Sequence, residues 1–447
     1  MKTIFQRSCL LLGLALATCA TADAQGRTRA RLFWQDDADA TVRYGDFKRQ
    51  GNEYSLEAKT IDGFPALDVA EQSLVQMQAD SGLILIGVRD QADGTIGSGW
   101  VAIESGGVEE PHGDHSHWKF PNAPSVLRSV IDTEQGNPAH LYHYDRSFVL
   151  ANDKSSGMTI TTAQRLRDPK PSADRTTFVL GGGGHITLAI AEDHVAYSTW
   201  IDRSGENSGR VDVVGLGKND GKRYEIRCPS GGLHGATINE GKVFLAPADG
   251  VCWVPADMQM TGSADDVEVK HLAIGKGSED KPLRTGAFAN LKNHVLFTAG
   301  KQEDCRLCWI DASSPSPAIS TLLIALDEAE GLSTPVVLET RDRRKLALTF
   351  AENRSDSSKD RLIVVDLDPN DDGNFSDAKQ VQSIAVGPNQ IEGHSGHHTV
   401  TVLPGRRQVA LTNPGEGSIW IISLTDFKVA AKFEVPGTPT RLIALGG

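Results

Sequence analysis

The sequence has 447 residues, with 45 basic and 58 acidic side chains and a formal net charge of −13. No cluster of Lys and Arg stands out against that acidity, which weighs against a nucleic-acid partner. Gly supplies 45 residues and long amphipathic stretches are few, a pattern of many turns and short strands rather than a helical bundle.

The chain opens with Lys2 and Arg7, then an apolar run from Cys9 to Ala20, then Ala22-Asp23-Ala24. These are the parts of a cleavable signal peptide over residues 1–24, with Gln25 as the new N-terminus. Thr18 before Cys19 makes a poor lipoprotein box, so a lipid anchor is the lesser reading. The apolar run is too short to span a bilayer, and no later stretch is long enough either, so no membrane insertion is expected.

Residues 25–447 read as one domain built from a repeated unit. Each copy is an apolar inner strand, a polar turn, a Val/Leu/Ala strand, a Gly/Asp turn, and a further alternating strand. Copies begin near Gln72, His140, His185, His234, Gly286, Thr334 and His398. Most spacings are about 45–52 residues, the length of a four-stranded propeller blade. The two longer copies carry insertions, at 105–123 in one and at 352–360 and 368–378 in the other. Before the first copy, Ala30–Trp34, Thr41–Tyr44 and Tyr54–Lys59 read as three strands lacking an inner one. After the last, Thr440–Leu445 reads as an inner strand lacking partners. Joined, they make an eighth blade and leave no free sheet edge. The predicted fold is therefore all-β, a single β-propeller of eight blades closed by its N- and C-terminal strands, with seven blades as the alternative.

In such a ring the inner strands all start at one face, here called the top, and the loops between second and third strands also lie there. His140, His185, His234 and His398 each open an inner strand, the first three on consecutive blades. One such His is usually a hydrogen-bonded core residue; three at one register can converge as zinc ligands, which zinc needs in a tetrahedron. A second candidate is His112-Gly-Asp-His115-Ser-His117, within the insertion of the copy starting near Gln72. A short His-rich tract can wrap an ion, and its place between third and fourth strands predicts the opposite, bottom face. Glu392-Gly-His394-Ser-Gly-His397-His398 is a similar tract running into an inner strand.

Four cysteines follow the signal segment. The preferred pairing is Cys228 with Cys252, both near the top, and a disulfide is also the preferred state of Cys305-Arg-Leu-Cys308. Asp368, Asn370 and Asp372 match the opening of a Ca2+ loop, but Lys379 replaces its last ligand, so a plain turn is the preferred reading.

With these segments assembled, the chain resembles the AztD-type zinc metallochaperones, periplasmic β-propellers associated with zinc ABC importers. The resemblance rests on Arg31-Leu-Phe-Trp34, Ala40-Thr-Val-Arg43, the tract from His112 to His117, and Gly136-Asn-Pro-Ala-His140. It continues through Cys228, Leu233-His234-Gly235, His397-His398 and Thr412-Asn-Pro-Gly-Glu-Gly417. It implies a non-enzymatic periplasmic protein, here expected as a monomer, that binds Zn2+ and passes it to the solute-binding protein of a zinc ABC transporter. Two other readings remain at this stage: a metal-dependent propeller hydrolase acting on esters or lactones, and a metal-free scaffold that binds another protein. Zinc on ordinary imidazoles would be released below about pH 6.

Overall fold

A computed structural model describes residues 27–446, apart from 113–114, 171–173, 220 and 279. The predicted signal segment, residues 1–24, lies outside the described residues. Among those described, the strands form eight sheets of four or five strands and one separate two-stranded hairpin. The inner strands are Gln72–Asp80, Pro138–Tyr144, Leu188–Ala191, Ala236–Asn239, Ala289–Leu291, Val336–Glu339, Val400–Val402 and Pro439–Leu445. Blades are numbered first to eighth in that order. Within each of the first seven, the later strands add outward in sequence as an antiparallel meander.

The eighth blade joins the two ends of the chain. Pro439–Leu445 pairs with Arg27–Asp36, setting Leu442 opposite Trp34 and Leu445 opposite Arg31. Thr41–Gln50 and Glu53–Ser55 then follow outward. The ring has eight blades, and the seven-blade alternative falls.

Packing explains why the ring closes. Eight buried apolar clusters fill the eight gaps between adjacent sheets. Side chains alternate across a strand, so Leu32 and Trp34 pack against Ile419 and Ile421 of the seventh blade. Phe33, between them in sequence, packs against Ile84 and Ile86 of the first. Sheets covered on both faces need apolar residues at every position, hence runs such as Leu83-Ile-Leu-Ile86. Each fully buried side chain of this size contributes about 1.5–3 kcal/mol.

The sixth blade departs from the simple repeat. Its inner edge is split into Glu330–Leu332 and Val336–Glu339, both paired with Lys345–Asn353. Pro335 lies at the break, where it has no N–H to give to the ladder. The insertion of the first blade is the hairpin Val108–His112 and His115–Lys119, between third strand Ser98–Glu104 and fourth strand Ser125–Asp132. Trp118 reaches within 3.6 Å of the Cβ position of Gly82, in the turn that follows the inner strand. That turn is at the bottom, so the hairpin leaves from the bottom face.

The four cysteines among the described residues are buried thiols. Cys228 and Cys252 meet between the third and fourth blades, and hydrogen bonding to Cys252 together with burial pushes the Cys228 thiol well up. The pair expected to bridge is thus in contact without a bond. The expected Cys305–Cys308 bridge is not formed. Strand Arg306–Asp311 holds the chain extended there, which separates Cα atoms three residues apart by about 10 Å, beyond the roughly 7 Å a disulfide spans. Burial pushes the Cys308 thiol up to about 12.

The turn considered for Ca2+ holds a lysine instead. Asp368 is buried and accepts from Lys345 Nζ at 2.6 Å and from the backbone of Asp372 and Gly373 at 3.0 Å. Asn370 and Asp372 spend oxygens on the N–H groups of Asp372 and Asn374. A protein ammonium therefore occupies the charge that a cation would have met, and the loop is a plain turn.

Candidate metal centre

Three inner strands bring their opening histidines to one point on the top face. His140 follows a β-bulge at Ala139, which re-aims the side chain. The bulge is held from behind by Asn137, whose left-handed backbone (φ 56°) lets its side-chain amide bond both ways with the backbone of Asp90 at 3.0 Å. His185 follows a run of four glycines. A Cβ on Gly183 would lie 2.4 Å from the Trp200 ring, and one on Gly182 would lie 2.4 Å from Ser198 Oγ. Only glycine lets the chain cross Trp200 so closely. His234 is fixed through its backbone, with its N–H donated to Ala246 at 3.0 Å.

The ligand atoms of His140, His185 and His234 all lie within 4.8 Å of one another. Nε2 of His140 and Nε2 of His185 are 2.9 Å apart, and ring centroids are separated by 4.7 to 6.0 Å. Donors 2.0–2.1 Å from a tetrahedral zinc stand about 3.3–3.4 Å apart, so small side-chain rotations would seat one ion. The donor chemistry also fits. Metal-bound imidazoles normally give their other N–H to an acceptor. Here His185 Nδ1 faces Asp153 Oδ2 at 3.0 Å and His234 Nδ1 faces the Gly286 carbonyl at 3.0 Å, turning both Nε2 atoms inward. Burial opposes the Asp153 carboxylate, yet hydrogen bonds from His185 and Ile186 and the charge of Arg89 hold it below the usual range.

His140 is held differently. Its Nδ1 faces the Gln76 side-chain nitrogen at 3.4 Å, while Gln76 Oε1 accepts from Leu141 at 2.8 Å. The neighbours therefore place the His140 proton on Nε2, donated to the lone pair of His185. To bind a metal through Nε2, His140 must move that proton to Nδ1, where it meets an amide donor. Gln76→Glu supplies an acceptor there and is expected to tighten zinc binding about tenfold, read by competition with a chromophoric chelator. An unchanged or weakened affinity refutes this account of His140.

Burial, with the neighbouring His185 and His234, lowers the His140 pKa to about 3. Burial, with His185, also holds His234 below the ordinary value. Protons therefore compete with a metal for these two nitrogens only at lower pH than the pH 6 expected of ordinary imidazoles. The same shifts act on stability. Below pH 6.5 the unfolded chain binds protons that the metal-free fold refuses, so stability drains away as pH falls from about 6.5 toward 3. Urea midpoints of metal-free protein should decline across that window, and a flat profile contradicts the shifts.

His398 does not join this cluster. It is fully buried in the seventh blade, with Nδ1 donating to Thr412 O at 2.7 Å and Nε2 facing Asp360 Oδ2 at 3.0 Å. Both nitrogens face oxygen acceptors, leaving no lone pair turned to the channel. His397 faces Glu352 at 2.6 Å. In the hairpin, strand pairing sets His112 opposite His115 and His117 opposite Glu110, and the His117 side chain is exposed. The side chains of His112 and His115, and Gly113 and Asp114 altogether, lie outside the described residues.

Sequence reasoning missed Gln76, Asp153 and the Gly286 carbonyl, which orient the three rings. Asp153 was findable, because it sits in a loop between second and third strands, the loops assigned to the top face. Gln76 was not, since nothing in an inner strand's alternation marks which polar residue meets the next blade.

Among the described residues no helix is long and apolar enough to cross a membrane. No family model and no curated protein matches the sequence. Among solved structures it is similar to AztD from Citrobacter koseri, with a TM-score of 0.63 and 18% identity over 94% of this chain and 99% of that one. The apo form of AztD from the same organism gives 0.61 and 16% over the same shares. A putative 6-phosphogluconolactonase from Bacteroides uniformis gives 0.49 and 9%, over 94% of this chain and 99% of that one. The chain has the eight-bladed propeller fold of AztD.

Proposed function

We propose that this protein is a periplasmic zinc carrier, not an enzyme, that holds Zn2+ at His140, His185 and His234 and hands it to the solute-binding protein of a zinc ABC importer. One observation carries the reading: three imidazoles from consecutive blades converge, two of them backed by oxygen acceptors as zinc ligands are. The fold shared with AztD supports it. A hydrolase would need a spare base beside the ion, and Asp153 is already engaged by His185, Ile186 and Arg89. A second, weaker zinc site is assigned to His112, His115 and His117 on the bottom hairpin, because three ligands from one short tract lack the blade packing that holds the first set.

The test is metal analysis of protein stripped with chelator and reloaded, followed by mixing with a metal-free solute-binding protein of this transporter class. Two zinc ions per chain and transfer without ester or lactone hydrolysis are expected. Protein that takes up no zinc leaves the scaffold reading, and turnover of a lactone leaves the hydrolase. Changing His112, His115 and His117 together to alanine should reduce two ions to one, keeping the tighter. Retention of both would remove the hairpin from the assignment.

A further inference from the structure

Two arginines meet beside the backbone that leads into His234, without an acidic partner among the described residues. Arg203 lies in the loop between the second and third strands of the third blade, Val195–Thr199 and Arg210–Gly215, and is exposed. Arg284 lies on the approach to the fifth inner strand and is half-buried. Both converge on Gly232, two residues before His234. Arg284 Nη2 donates to the Gly232 carbonyl at 3.2 Å, and Arg203 Nε lies 3.9 Å from the Cβ position of that glycine.

Among the described residues, neither guanidinium forms an ion pair with a carboxylate. Arg284 thus lacks the acidic partner that Arg31, Arg43, Arg89, Arg167, Arg210 and Arg361 each have. That lack is costly, because a half-buried charge beside a like charge loses solvation and gains repulsion. Burial and Arg203 both work against the charge of Arg284, and Arg284 in turn acts on His234. Uncompensated charge held at a site edge is the mark of a place for a counter-charge.

The metal centre asks for the same thing. Three histidines are the protein donors within reach among the described residues, and zinc takes four ligands. Neutral imidazoles leave the ion its double charge, and Asp153, the carboxylate behind His185, is already engaged by His185, Ile186 and Arg89. A carboxylate satisfies both demands at once, with one oxygen on the metal and the other on a planar guanidinium fork.

We propose that Arg203 and Arg284 form an anion subsite that seats a carboxylate as the fourth ligand of the ion held by His140, His185 and His234. The inference rests on the zinc reading of that site and adds the chemistry of its missing ligand. The carboxylate is either a small free acid or an Asp or Glu side chain of the zinc-accepting protein, and both use the same contacts.

Cobalt(II) in place of zinc makes the fourth ligand visible, because its ligand-field bands change when that ligand does. Titrating cobalt-loaded full-length protein with acetate should shift the bands saturably. The R203Q/R284Q variant should need about tenfold more acetate, with cobalt affinity measured in acetate-free buffer no weaker than that of the wild type. R203Q alone, at an exposed position, should give a smaller shift in the same direction and guards against misfolding of the double variant. If acetate is silent but the metal-free acceptor protein shifts the bands in an arginine-dependent way, the carboxylate belongs to the partner. Bands indifferent to both, an equal response in wild type and variants, or an equal response to chloride overturns the carboxylate subsite while leaving the zinc site standing. Protein that binds no cobalt at the three histidines overturns both.

Discussion

Replacing His185 and His234 together with alanine is expected to abolish tight zinc binding and leave the ring folded. Zinc sites of four protein ligands bind with about 10–16 kcal/mol, so each ligand is worth roughly 3 kcal/mol. Removing two costs about 6 kcal/mol, on the order of ten-thousandfold in affinity. The fold should survive, because both residues precede the strands they lead. The ladders Leu188–Ala191 and Ala236–Asn239 begin after them, and the buried neighbours of those strands are untouched. Competition with a chelator reads the affinity, and a melting curve followed by circular dichroism reads the fold. Tight zinc surviving in the folded double variant would remove these histidines from the site.

The opposite pattern is expected on the other side of the channel. Asp360 is fully buried and accepts from Asn353 N–H at 2.7 Å, Asn389 N–H at 2.9 Å, Asn389 Nδ2 at 2.6 Å and His398 Nε2 at 3.0 Å. It ties the top loop of the sixth blade to the start of the seventh. Asp360→Ala strands all of these donors in an interior that water does not reach. Breaking a buried set of this kind costs about 3–5 kcal/mol, read as a lower urea midpoint. Zinc stoichiometry should not change. An unchanged midpoint would show that the network carries no stability. Loss of the tight ion from folded Asp360→Ala protein would return His398 to the metal machinery, from which its two hydrogen bonds now separate it.

These two variants mark where the sequence could be read and where it could not. Blade number and closure were legible because each sheet is buried on both faces, so Leu83-Ile-Leu-Ile86 and Ser418-Ile-Trp-Ile-Ile-Ser423 announce strands without ambiguity. Register was legible too: placing His140, His185 and His234 at equivalent strand starts was enough to bring them together. The same reasoning applied to His398 failed, since an equivalent position in a repeat fixes where a Cα sits but not which way its ring is turned. That is decided by Asp360, 38 residues away in sequence and on another blade. The cysteines divide in the same way. Proximity of Cys228 and Cys252 followed from topology, whereas the CxxC motif suggested a bridge that an extended strand forbids. Arg203 and Arg284 carry no motif at all, and only the fold sets them beside one histidine.

The strand that completes the eighth blade has a consequence for how the molecule comes into being. Trp34 is covered by Leu442, a partner about 400 residues later in the chain. At ribosomal speeds of roughly 5–20 residues per second, the first strands wait for tens of seconds before their neighbour exists. Throughout that time Leu32 and Trp34, both fully buried at the end, lie on an open edge that any other strand could join. Every blade made in between can pack on its predecessor, but none can finish the circle. The newborn chain is therefore an open arc with two sticky ends, and its hazard is not slow folding within a blade but meeting the end of another arc before its own.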